Sequence, residues 1–451
     1  MNETNPFSFY RDASRTGMRA VEAQDMVAPD KSPRLPVTFD AARLIRARIA
    51  GAPNFGIVKY TDEILRRFLA RPDLSVRPTY NASTGMSRTW FLRAAKHFRS
   101  LQAELNSPIY ITSEDLPFPL SLLHRPPLDR FRHMLNNHFD ILPDRLPKES
   151  IGRVFFSPHG PLPPRKSLPE GAARVITVHD VLHLKFPEFY SAEGPPFIQK
   201  IIDSIDPARD FVVCVSAHTQ KDLTELLPID TARTRVIHLA ADDIFYRHPE
   251  NTERASQMLQ TLSLLPRGYL LALAQKEKRK NVAALINAFA SLEPAQRDLY
   301  PLVLVSSHAE TEACLRDWLA SASIPARQFR ILVDVSTEDL AALYTAAHLF
   351  IFPSLYEGFG IPLVEAMASG CPILASRSST HPEVLGDAAL MFDTMDPYAL
   401  PQALRSIVDR PDRLDDYRAR GLQRARMFSW NTTAEKTAEF IATVANNERM
   451  Q

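Results

Sequence analysis

Residues 348–376 read HLFIFPSLYEGFGIPLVEAMASGCPILAS, and this stretch decides the fold that we expect. Leu349–Phe352 is a short apolar run typical of a buried strand, Ile361–Ala368 reads as a helix, and Pro372–Ser376 is the next strand. A proline early in the helix and a glycine just after it fit the two helix ends. A strand, a loop, a helix and a second strand in so few residues predict a βαβ unit of a parallel sheet.

The loop Ser354–Gly360, between the first strand and the helix, is the candidate ligand site. Open parallel sheets bind ligands at the carboxyl ends of their strands. Two glycines let backbone N–H groups approach a ligand, and the helix N-terminus favours an anion. Glu357 and Glu365 bracket the site with seven residues between them, and the pattern indicates a sugar nucleotide. The alternative is a tight loop whose glycines only relieve strain and whose Glu357 is a solvated carboxylate.

Length, charge and motif content exclude several classes of protein. The chain has 451 residues, enough for two or three domains, and a formal net charge of +1, which argues against a general nucleic-acid binder. No apolar run approaches the roughly 18 residues of a membrane-spanning helix, and no signal-peptide pattern opens the sequence, so we expect a cytoplasmic protein. Neither a GxGxxG turn nor a GxxxxGKS-type loop is present, which disfavours an ordinary NAD or ATP enzyme. The cysteines are too scattered for a disulfide framework or a zinc site: Cys214, Cys314 and Cys371.

Alternating strands and helices predict an α/β protein with two doubly wound domains. We expect residues 35–247 to form the first domain and residues 248–430 the second. Residues 1–34 read as a flexible arm, and residues 431–451 as a C-terminal helix that packs back on the first domain. The polar segment Phe245–Gln260 reads as the linker that crosses between the domains.

Two other strand ends supply side chains for the same chemistry. A buried strand delivers His179 to its carboxyl end, where a histidine can hydrogen-bond a sugar hydroxyl or assist proton movement. The alternative is a structural hydrogen bond of the pair formed by His179 and Asp180. The cationic loop Gln275–Asn281 follows another strand, and its Arg279 and Lys280 can neutralise a diphosphate. A charged run of this kind is otherwise solvated surface.

Two features of the first domain are less specific. Residues 88–101 have the pattern of a basic amphipathic helix with aromatic residues, which can lie on an anionic membrane surface or dock on its own sheet. Gly56 lies between a strand and a helix, where its backbone can approach a ligand or can simply serve the turn.

Taken together, these stretches resemble retaining glycosyltransferase family 4, nucleotide-sugar enzymes with the GT-B fold. FPSLYEGFGIPLVEAMASGCPILAS matches the family signature of two glutamates separated by seven residues, with its EGFG loop. Further matches follow in the family's order: FGIVKYT from Phe55, TVHD at Thr177–Asp180, VSAHTQKDL from Val215, KEKRKNVAALINAF from Lys276 and FSW at Phe428–Trp430.

The resemblance implies two Rossmann-like domains that face each other across a cleft, with the donor bound mainly by the second. By match of position, Glu365 would accept hydrogen bonds from the ribose hydroxyls of the donor. Glu357 would hold the donor sugar, together with the backbone of Gly358, Phe359 and Gly360.

The resemblance also assigns the remaining residues. Arg279 and Lys280 would balance the diphosphate and stabilise the charge that develops as it departs. Gly56 would bring first-domain backbone near the phosphates or the acceptor, and His179 would touch the donor sugar. Retention is thought to proceed by front-face attack without an enzyme nucleophile, and the basic pair replaces the metal ion of other glycosyltransferases, so no cofactor is expected.

The expected activity is a cytoplasmic, metal-independent and retaining hexosyl transfer to a glycan or lipid-linked acceptor in surface polysaccharide assembly. GDP-mannose is the first donor candidate, because mannosyltransferase-like members resemble the chain, and UDP-sugars are the second. Contact with the inner face of the membrane would involve residues 88–101, and no nucleic-acid partner is expected. The alternatives are an epimerase or phosphorylase of the same fold, and a catalytically silent subunit that binds sugar nucleotide or scaffolds a complex.

Overall fold

The computed structural model describes residues 34–49, 56–80, 100–111, 150–189, 196–307 and 309–447, and it contains two parallel sheets. These sheets, each with helices between its strands, confirm the predicted α/β class with two Rossmann-like domains. The residues from Arg34 onward form one unit, so contacts between the two domains can be described. The predicted arm at residues 1–34 and the predicted basic helix at residues 88–101 lie almost wholly outside the described residues.

The first sheet has seven strands in the order β3-β2-β1-β4-β5-β6-β7. Every residue of β4, β5 and β6 is buried, as expected for parallel strands that are covered on both faces. The strand order reverses between β1 and β4, which opens a crevice at their carboxyl ends. The strands are β1 Leu35–Asp40, β2 Leu74–Tyr80, β3 Tyr110–Ile111, β4 Val154–Ser157, β5 Ala173–Val178, β6 Phe211–Cys214 and β7 Thr234–Val236.

The second sheet has six strands in the order β10-β9-β8-β11-β12-β13. Its order reverses between β8 and β11, so the loops after these two strands meet at the same crevice. The predicted βαβ unit is confirmed as β11, a helix and β12. The strands are β8 Leu270–Leu273, β9 Leu302–Ser306, β10 Phe329–Val333, β11 Leu349–Phe352, β12 Ile373–Ser376 and β13 Leu390–Phe392.

Helices cover both sheets, and in the described part of the chain none combines the length and low charge that a bilayer span requires. In the first domain they are α1 Ala42–Ile49, α2 Gly56–Leu69, α3 Leu182–Lys185, α4 Pro196–Asp203 and α5 Ala217–Leu226, with a helical turn at residues 100–105. The following helices are α6 His248–Leu262, α7 Val282–Ala290, α8 Pro294–Leu299, α9 Ala309–Ser321, α10 Thr337–Ala346, α11 Ile361–Ala368, α12 His381–Leu385, α13 Ala399–Ile407, α14 Pro411–Ala425 and α15 Trp430–Asn447.

The segment that was predicted as a linker, Phe245–Gln260, is mostly helical, so that prediction is wrong. Helix α6 packs against α10, burying Ala255 and Leu259, and Arg254 pairs with Asp339 at 2.6 Å. The polar outer face of α6 hides this narrow apolar stripe when only composition is read.

The last helix returns to the first domain. The ring of Trp430 lies 6.3 Å from that of Tyr60, and Phe440 lies 6.2 Å from Phe211. The Thr433 hydroxyl donates to a first-domain carbonyl, that of His238, at 2.8 Å. Helix α15 therefore brings the C-terminal end of the described chain back to the first domain, which also contains its N-terminal end.

Candidate active site

The two loops predicted to bind a sugar nucleotide lie side by side. Loop Ser354–Gly360 follows β11, and the loop that contains Arg279 and Lys280 follows the neighbouring strand β8. The backbone N–H of Leu355 donates to the carbonyl of Arg279 at 2.7 Å, which fixes one loop on the other. The reversal of strand order thus brings an acidic and a basic loop to one sheet edge.

Glu357 lies at the centre of an ion cluster. Its carboxylate accepts from Arg279 Nη1 at 2.9 Å and from Lys280 Nζ at 2.7 Å, and the Ser354 hydroxyl donates to it at 2.6 Å. Only 12% of the Glu357 side chain is exposed. Burial opposes its ionisation, but the charges of Lys280 and Arg279 and these hydrogen bonds lower the pKa of Glu357 to about 2. The alternative of a solvated carboxylate is wrong.

The two cations are largely buried and already partnered. Arg279 and Lys280 have 18% and 14% of their side chains exposed, so they are not a solvated surface run. Arg279 also pairs with Glu277 at 2.7 Å, and Lys280 Nζ lies 5.6 Å from the centre of the Phe352 ring. The positive charges of Arg279 and Lys280 are thus balanced by Glu277 and Glu357 in the described cluster. A diphosphate that binds here must therefore share the two cations with these carboxylates.

The EGFG loop is held by the first domain. The carbonyl of Gly358 accepts from the Ser216 hydroxyl at 2.7 Å and from the Thr219 hydroxyl at 3.1 Å. Ser216 is the N-cap of α5, and its side chain also accepts from the Thr219 N–H. A Cβ atom at Gly358 would overlap the carbonyl oxygen of His179, so only glycine allows this approach. Gly358 and His179, two predicted site residues from different domains, are thus in contact.

The rest of the loop is fixed by aromatic packing and by a glycine turn. Phe359 is buried, with its ring 5.7 Å from the rings of both His238 and Phe428. Gly360 has a φ of +86° and caps α11, a conformation that favours glycine. The loop backbone therefore has one defined path into the helix.

His179 is a buried imidazole with a defined tautomer. Its Nε2 lies 3.0 Å from the carbonyl of Pro158, so Nε2 carries the proton and Nδ1 is left as a hydrogen-bond acceptor. Burial, with a smaller effect from the Arg43 charge, lowers the pKa of His179 to about 4, and the ring is neutral at pH 7. Asp180 instead accepts from the Leu182 N–H at 3.2 Å, so a mutual hydrogen bond of the His–Asp pair is not formed.

Among the described residues, neither Glu365 nor Gly56 forms a hydrogen bond or ion pair with the ion cluster. Glu365 lies on α11 and is partly exposed. Its pKa is raised to about 8, mainly by burial and also by the charge of Asp242, while the Tyr344 hydroxyl lowers it. Asp242 also pairs with Lys59 of α2. Gly56 is the exposed first residue of α2, with a φ of +52° and open space where a side chain would be. Helix α2 thus reaches the neighbourhood of Glu365, one turn beyond Gly56.

Several contacts between the domains were missed by sequence reasoning. The Tyr356 hydroxyl donates to the buried Asp222 at 2.5 Å. Glu383 accepts from the backbone N–H groups of Ala217 and His218, at 2.8 and 3.3 Å, and so caps α5 from the second domain. The only signal in the sequence was a serine three residues before a threonine at a helix start, which predicts a cap but no partner in another domain.

Comparison with known proteins places these features in context. Residues 260–424 match the family described as Glycosyl transferases group 1. O-antigen chain mannosyltransferase B of Escherichia coli is 33% identical over 288 residues, which cover 62% of this chain and 72% of that protein. Serotype-specific mannosyltransferase WbdA of Escherichia coli is 30% identical over 270 residues, 59% of this chain but only 33% of WbdA.

Solved structures show the same fold at lower identity. WaaG, a glycosyltransferase involved in lipopolysaccharide biosynthesis, superposes with a TM-score of 0.62 at 16% identity, covering 90% of this chain and 99% of WaaG. Anabaena HepE in complex with UDP and glucose gives a TM-score of 0.61 at 15% identity, covering 91% of this chain and 100% of HepE. The two-domain arrangement is therefore that of GT-B enzymes.

Proposed function

Because the chain belongs to the group 1 glycosyl transferases, among O-antigen mannosyltransferase-like enzymes, we propose that it transfers mannose from GDP-mannose to a glycan or lipid-linked acceptor. The product extends a surface polysaccharide. Mannose is supported by the names of the relatives, and a UDP-sugar is the second candidate because HepE was solved with UDP and glucose. The observation that carries the proposal is the cluster of Glu357, Arg279 and Lys280 at the point where the strand order of the second sheet reverses.

The donor is held by both loops. Arg279 and Lys280 contact the diphosphate, while Glu357 and the backbone of the EGFG loop contact the sugar. Glu365 accepts hydrogen bonds from the ribose hydroxyls. With a pKa of about 8, Glu365 is mostly protonated at neutral pH in the absence of ligand. Hydroxyl groups that donate to its carboxylate favour the ionised form, so donor binding is accompanied by proton release.

Transfer proceeds with retention in the proposed reaction. The acceptor hydroxyl attacks the anomeric carbon on the face from which the diphosphate leaves, so one C–O bond forms as the other breaks. The proton of the acceptor passes to the departing phosphate oxygen, whose charge Arg279 and Lys280 stabilise without a metal ion. Nδ1 of His179 can accept but not donate at neutral pH, so His179 accepts a hydrogen bond from a hydroxyl of the donor sugar.

The test incubates the full chain with GDP-, UDP- and dTDP-sugars and a panel of glycan acceptors, and measures release of nucleoside diphosphate. We expect GDP-mannose to be the best donor, EDTA to leave the rate unchanged, and NMR to show an α-linked product. Lys280→Ala should lower kcat/KM by about 100-fold or more, because a charge that stabilises the departing group is lost. Lys276→Ala is the matched control, since Lys276 lies on the same loop, 44% exposed, and its partner Glu310 is 3.9 Å away.

Two outcomes would contradict the proposal. If Lys280→Ala turned over as fast as the control, the cationic loop would not serve the diphosphate. If sugar nucleotides raised the melting temperature but no acceptor gave nucleoside diphosphate, the chain would be a silent binding subunit.

A further inference from the structure

One carboxylate of the second domain lies where several supports of the EGFG loop meet. Glu383 belongs to the short helix α12, and 22% of its side chain is exposed. Its Oε1 accepts from the Ala217 N–H at 2.8 Å and lies 2.6 Å from Nε2 of His238, while its Oε2 accepts from the His218 N–H at 3.3 Å. All of these partners belong to the first domain, so this side chain makes three hydrogen bonds across the boundary between the domains.

The charge of Glu383 suits this position. Burial opposes its ionisation, but the hydrogen bond from His238 and those from the two backbone N–H groups lower the pKa of Glu383 below its usual value, so the carboxylate is charged at pH 7. The first N–H groups of a helix have no partner within it, and a helix N-terminus carries a partial positive charge. Glu383 therefore supplies an anion to the start of α5. Nε2 of His238 carries a proton, since a carboxylate can only accept.

Both first-domain partners of Glu383 contact the EGFG loop. Helix α5 does so through two hydroxyl groups that donate to the carbonyl of Gly358. The ring of His238 packs 5.7 Å from that of Phe359. A change at Glu383 can therefore reach the loop through one polar and one aromatic contact.

The second-domain segment that carries Glu383 is also tied to the loop. The backbone N–H of Glu357 donates to the Ser379 hydroxyl, just before α12, at 2.9 Å. Helix α12 is itself fixed by Arg424 of α14, which donates to the carbonyls of Glu383 at 2.6 Å and of Val384 at 3.0 Å. The Glu383 carboxylate thus connects an anchored part of the second domain with the first-domain groups that hold the loop.

We propose that Glu383 is a positioning residue for donor binding, which sets the place of the EGFG loop by capping α5 and by binding His238. It acts through these groups and touches neither the donor nor the acceptor. The inference rests on the proposed function, because the loop that Glu383 positions is the one assigned to the donor sugar. Loss of the carboxylate weakens donor binding while every residue that contacts the donor stays in place in the sequence.

The first test measures the kinetics of Glu383→Ala and Glu383→Gln in the full chain with GDP-mannose. Glu383→Ala should raise the donor KM by about 3- to 30-fold, which corresponds to the loss of a helix cap, and leave the acceptor KM unchanged. Glu383→Gln should recover part of the loss, because its amide oxygen still accepts a hydrogen bond. Asp387→Asn is the matched control, since Asp387 is the next acidic residue in the chain and 83% of its side chain is exposed. An unchanged donor KM in Glu383→Ala would overturn the proposal.

A double-mutant cycle separates positioning from a merely structural role. Thr219→Val removes one bond by which α5 holds Gly358, so part of what Glu383→Ala disrupts is already lost in that background. Glu383→Ala should therefore change the donor KM at least about 2-fold less in Thr219→Val than in the wild type. Equal effects in the two backgrounds, as expected if Glu383 only stabilised the fold, would overturn the proposal.

Hydrogen exchange keeps this inference distinct from the proposed function, because it needs no turnover. Without ligand, Glu383→Ala should speed exchange in the peptides that contain the start of α5 and the EGFG loop, and Asp387→Asn should change neither. If no sugar nucleotide reacts with the wild type but both peptides respond, the proposed function fails and the positioning of the loop by Glu383 stands. If turnover is normal and the loop peptide of Glu383→Ala exchanges at the wild-type rate, the positioning role is wrong.

Discussion

Replacing Gly358 with alanine should uncouple the EGFG loop from the first domain. The added Cβ would overlap the carbonyl oxygen of His179 and lie 2.9 Å from its carbonyl carbon and 3.0 Å from Asp180 Cβ. The first two of these atoms are backbone at the end of a buried strand, so they cannot turn aside as a flexible side chain would. The loop itself must move instead.

The size of the effect follows from what that movement breaks. The carbonyl of Gly358 would lose its bonds from Ser216 and Thr219, each worth about 0.5–1.5 kcal/mol. Overpacking adds about 1–3 kcal/mol, so the total against the closed arrangement is about 2–6 kcal/mol. Because the same loop carries Glu357, a shift of about 1 Å should lower kcat/KM by about 100-fold.

Turnover of GDP-mannose and thermal unfolding of Gly358→Ala form the assay, with Gly421→Ala as the control. Gly421 lies within α14, and a Cβ there would meet nothing closer than Met367 Cγ at 3.5 Å. The control should keep full activity and gain slightly in stability, because alanine favours a helix by roughly 0.5–1 kcal/mol. If Gly358→Ala retained wild-type kcat/KM, the contact between the domains would not position the loop for catalysis.

Three further substitutions test neighbouring contacts. Thr219→Val should raise the donor KM several-fold, whereas Thr219→Ser, which keeps the hydroxyl, should not. Thr224→Val is the control, because it removes a hydroxyl from the exposed side of the same helix. Equal effects of the two valine substitutions would contradict the role of Thr219 in holding the loop. Tyr356→Phe should lower the free energy of unfolding in urea by about 1.5–3 kcal/mol, because a hydrogen bond to the carboxylate of Asp222 is lost, and an unchanged midpoint would count against that bond. Glu365 has a folded pKa of about 8 against a usual 4.5, so the folded protein binds an extra proton between these values and its stability falls as pH rises through them. Glu365→Gln should therefore melt several degrees above the wild type beyond pH 8 and at nearly the same temperature below pH 4.5; parallel melting curves across that range would refute the shift.

Local patterns in the sequence were enough to predict the βαβ unit that carries the EGFG loop. Leu349–Phe352 and Ile373–Ser376 are strands around a helix that begins at Ile361, because their apolar periodicity and their proline and glycine signals agree. The sequence also placed Glu357 and the cationic loop at one sheet edge, since parallel strands end there together, but it did not predict the ion pairs between them. The catalytic roles given to these residues stay predictions.

What the sequence did not reveal depends on packing between distant segments. Helix α6 was missed because its buried stripe is narrow, and it becomes apparent only against α10. The partners of Gly358 lie 142 and 139 residues away in the chain, at Ser216 and Thr219. Contacts of this kind are fixed by how the two sheets face each other, and no local spacing records them.

The hydrogen bonds from α5 to the EGFG loop limit how the domains of related enzymes can be exchanged. Ser216, Thr219 and Asp222 belong to the first domain, yet their partners Tyr356 and Gly358 belong to the second domain. A chimaera that joins the first domain of one relative to the second domain of another would therefore lose these hydrogen bonds unless this face of α5 is exchanged together with the loop. In evolution as in engineering, a change of donor sugar should then be accompanied by substitutions on α5.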